Sequence, residues 1–144
     1  MHRKLLKIQS ELKAPKGQFN SFGKYKYRSC EDIVEAVKPL CHQEGLILLM
    51  SDEVVNIGNR NYVKASVQVR SNEDAIEVSA YACEEETKKG MDGAQITGAA
   101  SSYARKYALN GLFAIDDTKD ADATNDHGKG EKVAYPEPLT DEPF

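Results

Sequence analysis

Residues 62–70 have the sequence YVKASVQVR, in which polar and apolar side chains alternate. Successive side chains of a β-strand point to opposite faces of a sheet, so this alternation predicts a strand that is buried on one side, with its three valines and Ala65 on the covered face. Gly58-Asn59 before the segment and residues 71–74 after it are rich in residues that favour turns. We therefore expect this strand to pair with a neighbour on each side.

The flanking segments complete the predicted sheet. Residues 46–55 are expected to form the preceding strand, and residues 76–82 repeat the polar and apolar alternation. Three consecutive strands joined by short turns form an antiparallel meander, and the alternation implies that one of its faces is covered by other elements.

Helices are predicted before and after the meander. Residues 5–12 have the apolar spacing of a short amphipathic helix. A second helix is expected between Ser29, which forms a variant capping box with Asp32, and Gly45, with Pro39 causing a kink or a break into two short helices.

The last predicted helix spans the alanine-rich residues 94–110, and Gly111 is expected to end it. The predicted fold class is therefore α+β, an antiparallel β-meander packed with helices.

Composition excludes several classes of protein. The chain is 40% hydrophobic and 29% charged, which is typical of a soluble domain, and its longest apolar run is far too short to span a bilayer. We expect a cytoplasmic protein, because the N-terminus lacks the features of a secretory signal. Three widely separated cysteines and three histidines without ligand spacing predict neither disulfides nor a metal site, so no cofactor is expected.

Charge is distributed unevenly along the chain. Residues 1–115 hold 16 basic and 14 acidic side chains, whereas residues 116–144 hold 3 and 9. The first 28 residues carry eight basic side chains against Glu11 alone. This asymmetry suits a nucleic-acid binder with an acidic tail, so the predicted division is a domain of residues 1–118 and a disordered tail of residues 119–144.

One candidate binding segment is Lys24-Tyr25-Lys26-Tyr27-Arg28. It combines cations for phosphates with aromatic rings for bases, which is how proteins hold single strands without sequence preference. The alternative is an edge strand that its lysines keep soluble, with both tyrosines in the core.

A second candidate lies in the last predicted helix. Gly98, Ser101, Ser102 and Arg105 fall on one helical stripe, and Lys106 follows. Small residues let a phosphate backbone approach, hydroxyls donate to its oxygens, and a guanidinium can bind two oxygens at once. The alternative is that the small residues only permit tight packing of the helix on the sheet.

Two sequence blocks resemble the ERF family of phage and bacterial recombination proteins. The first is KYKYRS at residues 24–29 with the helical EDIVEAV at 31–37, and the second is QITGAASSYARKYAL at 95–109, followed by GLF at 111–113 and DDTKD at 116–120. The resemblance implies a Rad52-like annealing core that assembles into rings or helical filaments on single-stranded DNA in the bacterial host cytoplasm.

The resemblance also implies a non-enzymatic activity, the annealing of complementary strands without ATP in phage-type homologous recombination and DNA repair. Independently, the sequence lacks a phosphate-binding loop of the Walker type. The cations of both blocks (Lys24, Lys26, Arg28, Arg105 and Lys106) are the candidate phosphate contacts, and Tyr25 or Tyr27 is the candidate for stacking on bases.

Two other functions stay open on the sequence. The clustered carboxylates of residues 116–122 could hold Mg²⁺ in a metal-dependent nuclease, although adjacent acids that lead into a polar tail are usually solvated. The chain could instead be a recombination or replication adaptor. Its ending, Asp141-Glu142-Pro143-Phe144, resembles the acidic tip of bacterial single-stranded-DNA-binding proteins and could bind their host partners, or it could cover the chain's own basic surface.

Overall fold

A computed structural model describes residues 1–87 and 89–115 of the chain. Within these residues it contains three helices and five strands, which confirms the α+β class. In chain order the elements are α1 (His2–Glu11), β1 (Gln18–Asn20), β2 (Tyr25–Tyr27), α2 (Cys30–Gln43), β3 (Ile47–Ile57), β4 (Arg60–Arg70), β5 (Ala75–Cys83) and α3 (Gly93–Phe113).

The predicted meander is confirmed. Strands β3, β4 and β5 pair antiparallel in that order, and Val67 at the centre of β4 faces Met50 on β3 and Val78 on β5. Gly58 makes the turn between β3 and β4 with a φ of 62°, a backbone conformation that glycine adopts without strain. The valines and Ala65 of β4 are at most 1% exposed, so the face assigned from the alternation is the covered one.

Helix α3 covers this face along β4 and β5, and α1 and α2 pack beside it. The largest fully buried side chains include Ile8 of α1, Ile33 and Val37 of α2, and Leu109 and Phe113 of α3. All five belong to one hydrophobic cluster with Val67 and Val69. Burial of each large apolar side chain stabilises a fold by about 1.5 to 3 kcal/mol, so this cluster holds the three helices on the sheet.

The prediction that Gly111 ends the last helix was wrong. Helix α3 continues to Phe113, and Ala114 ends it in the left-handed conformation with a φ of 52°. A Cβ added at Gly111 would lie 3.1 Å from Cγ1 of Val78, so the glycine lets the helix approach β5 closely. Continuing the helix also buries Leu112 and Phe113, which outweighs the low helix propensity of glycine.

Helix α2 confirms its predicted start and corrects its predicted interior. Ser29 and Asp32 form a complete capping box, with both reciprocal hydrogen bonds. The helix is continuous through Pro39, so of the two expected outcomes the break into two helices was wrong and the kink stays a prediction. Pro39 lies on the exposed side with Glu35, where water can satisfy the carbonyl group that loses its amide partner.

The segment before α2 forms a hairpin that the sequence did not predict. Strands β1 and β2 pair antiparallel, with Phe19 opposite Lys26. At the tip, the backbone amides of Phe22 and Gly23 donate to Oδ1 of Asn20 at 2.9 and 3.0 Å. The predicted strand at residues 24–28 is therefore the second arm of a hairpin, and it is not part of the main sheet.

Candidate nucleic-acid interface

A groove of about 380 Å³ separates β2 and the start of α2 from the outer side of α3. We call it the cationic groove. Residues from both candidate segments line it, although about 70 positions separate them in the chain. The lining residues are Asn20, Tyr27, Arg28, Ser29, Cys30, Glu31, Ala99, Ser102, Tyr103, Lys106 and Tyr107.

Two cations reach this groove from opposite walls. Arg28 follows β2, and its Nε donates to the backbone carbonyl of Ala14 at 2.6 Å, which fixes the side chain against the chain that enters the hairpin. Lys106 projects from α3 and is 8% exposed, with its Nζ 6.0 Å from the ring centroid of Tyr27. An aromatic face stabilises an ammonium group, so Tyr27 compensates in part for the burial of Lys106.

Two tyrosines of α3 form the rim of the groove. Tyr103 and Tyr107 are one helical turn apart, their ring centroids are 6.3 Å apart, and their planes differ by 27°. They are 57% and 50% exposed, although aromatic side chains usually bury most of the ring. We call the pair the tyrosine ridge. The two rings offer flat apolar faces beside the cations, a combination that suits nucleobases next to a phosphate backbone.

The tyrosine ridge is absent from the binding residues that the sequence predicts. Tyr103 and Tyr107 fall on one helical stripe with Ile96 and Ala100, which is also the spacing of a packed face. The available signal was a pair of tyrosines four residues apart beside the candidate cations. That signal distinguishes an exposed pair from a buried pair only when the orientation of the helix is known.

Ser101 and Arg105 contact the sheet. Arg105 donates from Nε and Nη2 to the two carboxylate oxygens of Asp52, each at 3.0 Å, and the hydroxyl of Ser101 donates to the same carboxylate at 2.5 Å. Burial opposes ionisation of Asp52, but the bonds from Arg105 and Ser101 outweigh it and lower the pKa of Asp52. The hydrogen bonds that Arg105 donates to Asp52 raise the pKa of Arg105. Phosphate binding by Ser101 and Arg105 stays a prediction, and a phosphate would compete with Asp52 for both side chains.

Lys24, Lys26 and Gly98 are not among the residues that line the groove. Lys24 and Lys26 are exposed on the hairpin, and Tyr25 begins β2. Gly98 is exposed on α3, and among the described residues a Cβ added there would meet nothing within 4 Å beyond its own helix backbone. Close packing on the sheet therefore does not explain Gly98, whereas it does explain Gly111.

Several predictions concern residues that the structure does not describe. The tail of residues 119–144, its tip Asp141-Glu142-Pro143-Phe144 and the carboxylates of residues 116–122 lie outside the described residues. Within residues 1–87 and 89–115, no three His, Cys, Asp or Glu side chains lie close enough together to hold a metal ion. None of the helices in those ranges is long and apolar enough to cross a membrane.

Fold and groove together define an α+β protein in which a helix-covered meander carries a cationic groove with an aromatic rim. Comparison with known proteins identifies its family. The chain matches the model of the ERF superfamily over residues 1–137, and it belongs to that family.

One curated relative is the Essential recombination function protein of Salmonella phage P22, which is 60% identical over 133 residues. The match covers 92% of this chain and 63% of the relative, so the chain spans less than two thirds of the relative's length. No solved structure was found to match the chain.

Proposed function

We propose that the chain binds single-stranded DNA in the cationic groove and anneals complementary strands without ATP during homologous recombination. The observation that carries the proposal is the convergence of Tyr27 and Arg28 with Ser102 and Lys106 in one groove. Each of the two segments alone had a purely structural explanation. Their convergence at a concave, partly exposed surface favours a shared ligand that is anionic and has flat rings.

The chemistry of the groove fits an unpaired strand better than a duplex. Lys106 and Arg28 can neutralise phosphates, while Tyr103 and Tyr107 can stack on bases that a duplex keeps hidden. Stacking on an aromatic side chain contributes roughly 1 to 3 kcal/mol per base, and it is tolerant of sequence because every base has a flat face. A strand that is held mainly by its backbone keeps base edges available for pairing.

Annealing then depends on how the protein holds the strand, and no covalent bond is made or broken, so the proposed activity is not enzymatic. Several copies side by side, in a ring or filament, would hold one extended strand and raise the local concentration of pairing sites for its complement. The name of the phage relative refers to recombination, which is the process in which such annealing is used. We place this activity in the cytoplasm of a bacterial host.

A gel assay tests the proposal against the two other functions. Complementary labelled oligonucleotides are mixed with the protein, with and without Mg²⁺ and ATP, beside a non-complementary pair and a sample without protein. The expected result is accelerated duplex formation that needs neither ATP nor Mg²⁺. Shortened oligonucleotides in Mg²⁺ would instead identify a nuclease. Neither product, together with capture of host replication proteins that requires residues 139–144, would identify an adaptor.

A further inference from the structure

The hairpin carries two exposed aromatic side chains, Phe22 at its tip and Phe19, which we call the knob. Phe22 is 99% exposed and Phe19 is 60% exposed. The bonds from the amides of Phe22 and Gly23 to Asn20 fix the backbone of the tip, so the exposed ring stands on an ordered turn. A Phe side chain left in water forgoes the stabilisation that burial of its apolar surface would provide. An ordered hairpin with an exposed ring at its end is therefore suited to insertion into another surface.

A second groove, of about 420 Å³, lies on the other side of the tyrosine ridge. We call it the apolar groove. Its floor and walls come from the edge strand β5, from the start of α3 and from Met91, and most of its lining side chains are apolar or aromatic. The lining residues are Tyr81, Ala82, Cys83, Glu85, Met91, Ile96, Ala99, Ala100, Tyr103 and Tyr107. Its volume lies within the range of pockets that enclose small ligands, so it has room for a phenyl ring.

The knob and the apolar groove have complementary charge. Lys24 and Lys26 flank the aromatic tip of the hairpin and are exposed. Glu85 lines the apolar groove, between Glu84 and Glu86. Opposite charges at the rim of an apolar contact favour one orientation of the partners and disfavour the contact of like surfaces. Glu84 accepts a hydrogen bond from Thr97 and Glu86 pairs with Arg60, so the charge match between the basic aromatic knob and the apolar groove rests on Glu85.

The knob and the apolar groove are different surfaces of the same chain. Asn20 of the hairpin borders the cationic groove, and the tyrosine ridge separates that groove from the apolar one. Contact between two different surfaces of identical chains is head-to-tail, and such a contact closes into a ring or continues as a filament.

We propose that the Phe22 tip of one copy of this chain docks in the apolar groove of the next copy. This inference rests on the self-assembly that the proposed function includes, and it identifies the surfaces that form the contact. Each docked hairpin would bring its own cationic groove beside the tyrosine ridge of the neighbouring copy. A strand held in one groove could then continue into the next.

Site-directed disulfide formation tests the contact directly. In a Cys83→Ser background, where Cys30 and Cys41 are both buried, ¹⁵N-labelled Ser21→Cys chain, which keeps Phe22 and carries its thiol at the neighbouring exposed position of the tip, is mixed with unlabelled Ile96→Cys chain and oxidised mildly. The expected product is a disulfide dimer that contains one labelled and one unlabelled chain, identified by mass spectrometry. A matched mixture of ¹⁵N-labelled Lys38→Cys chain with the Ile96→Cys chain measures random collision, because Lys38 is exposed on α2. A yield of mixed dimer no higher than in this control overturns the inference.

Sedimentation velocity separates assembly from DNA binding. With and without an oligothymidylate, Phe22→Ala should sediment more slowly than the unchanged chain, while Leu6→Ala, which alters a side chain 66% exposed on α1, should not. Phe22→Ala should still bind the oligonucleotide at low salt. If it instead assembles normally but loses the oligonucleotide, Phe22 is a base-stacking residue and the docking inference fails, whereas the proposed function stands. If the unchanged chain has no affinity for the oligonucleotide, the proposed function itself fails.

Discussion

Replacing Lys106 with methionine tests whether the cationic groove binds a phosphate backbone. Methionine keeps the apolar stem that packs in the groove wall and removes the charge that lies 6.0 Å from the ring centroid of Tyr27. Each phosphate contact on a single strand contributes about 0.7 to the slope of log affinity against log salt concentration. Loss of one contact should therefore reduce the slope by about 0.7 per occupied site. It should weaken binding about fivefold at 0.1 M salt, with no difference at about 1 M.

The chain offers a matched control for this substitution. Lys64 lies over the ring of Tyr81 at the same distance of 6.0 Å, but on the open face of the sheet, away from the cationic groove. Lys64→Met removes the same charge from the same kind of contact, and its salt slope should equal that of the unchanged chain. Fluorescence anisotropy of a labelled oligothymidylate between about 50 and 500 mM salt measures all three slopes.

Two results would refute the assignment of Lys106. Equal slopes for the two variants would mean that the groove makes no phosphate contact through this residue. A loss of affinity in Lys106→Met that is constant across the salt range would indicate a distorted groove, because a missing ionic contact must matter less as salt rises. Thermal unfolding of both variants, followed by circular dichroism, detects such a distortion independently.

Two further predictions concern stability. Asp52→Asn should lower the free energy of unfolding at pH 7 by about 1 to 2 kcal/mol, between the values for exposed and buried pairs, because the Asp52 side chain is 26% and Arg105 33% exposed. The pKa of Asp52 is lowered in the fold, so the contribution of Asp52 to stability is complete above its unfolded-state pKa of about 3.9 and is lost as the pH falls through the folded-state pKa. Urea titrations should therefore show the unfolding free energies of Asp52→Asn and the unchanged chain converging below about pH 4. A difference that stays constant with pH would contradict the ion pair. In the same assay Gly98→Ala should stabilise the chain by up to about 1 kcal/mol. Gly111→Ala should gain less because its Cβ would meet Val78 at 3.1 Å, and equal gains would contradict the close approach of α3 to the sheet.

The sheet could be predicted from the sequence because its signal is local. The alternation in residues 62–70 depends only on which side chains must be buried, and the observed strand extends that segment by two residues to Arg60. The end of α3 could not be predicted in the same way. Gly111 is a typical helix terminator by its own preferences, but its place is set by the distance between α3 and β5, which a local pattern does not record.

The hairpin was missed for a related reason. Its strands are three residues each, and Tyr25–Tyr27 alone carries an alternating pattern. The first strand pairs through backbone groups, and its side chains contribute little to the core, since Phe19 is 60% exposed. A prediction from hydrophobic periodicity finds strands that bury a face, so it does not find a strand that leaves its aromatic side chain in water.

Arg105 and Lys106 show why the site could be predicted only in part. The two cations are adjacent in α3, about 100° apart around its axis, and both were candidates for phosphate contacts. The register of the sheet places Asp52 opposite Ala65, on the covered face, where a carboxylate without a partner would be costly. Arg105 donates to that carboxylate from Nε and Nη2, so a phosphate that binds Arg105 must share the guanidinium with Asp52 or replace it. Lys106 contacts the face of Tyr27 in the groove lining, so Lys106→Met tests a phosphate contact in the groove without breaking the ion pair between Arg105 and Asp52.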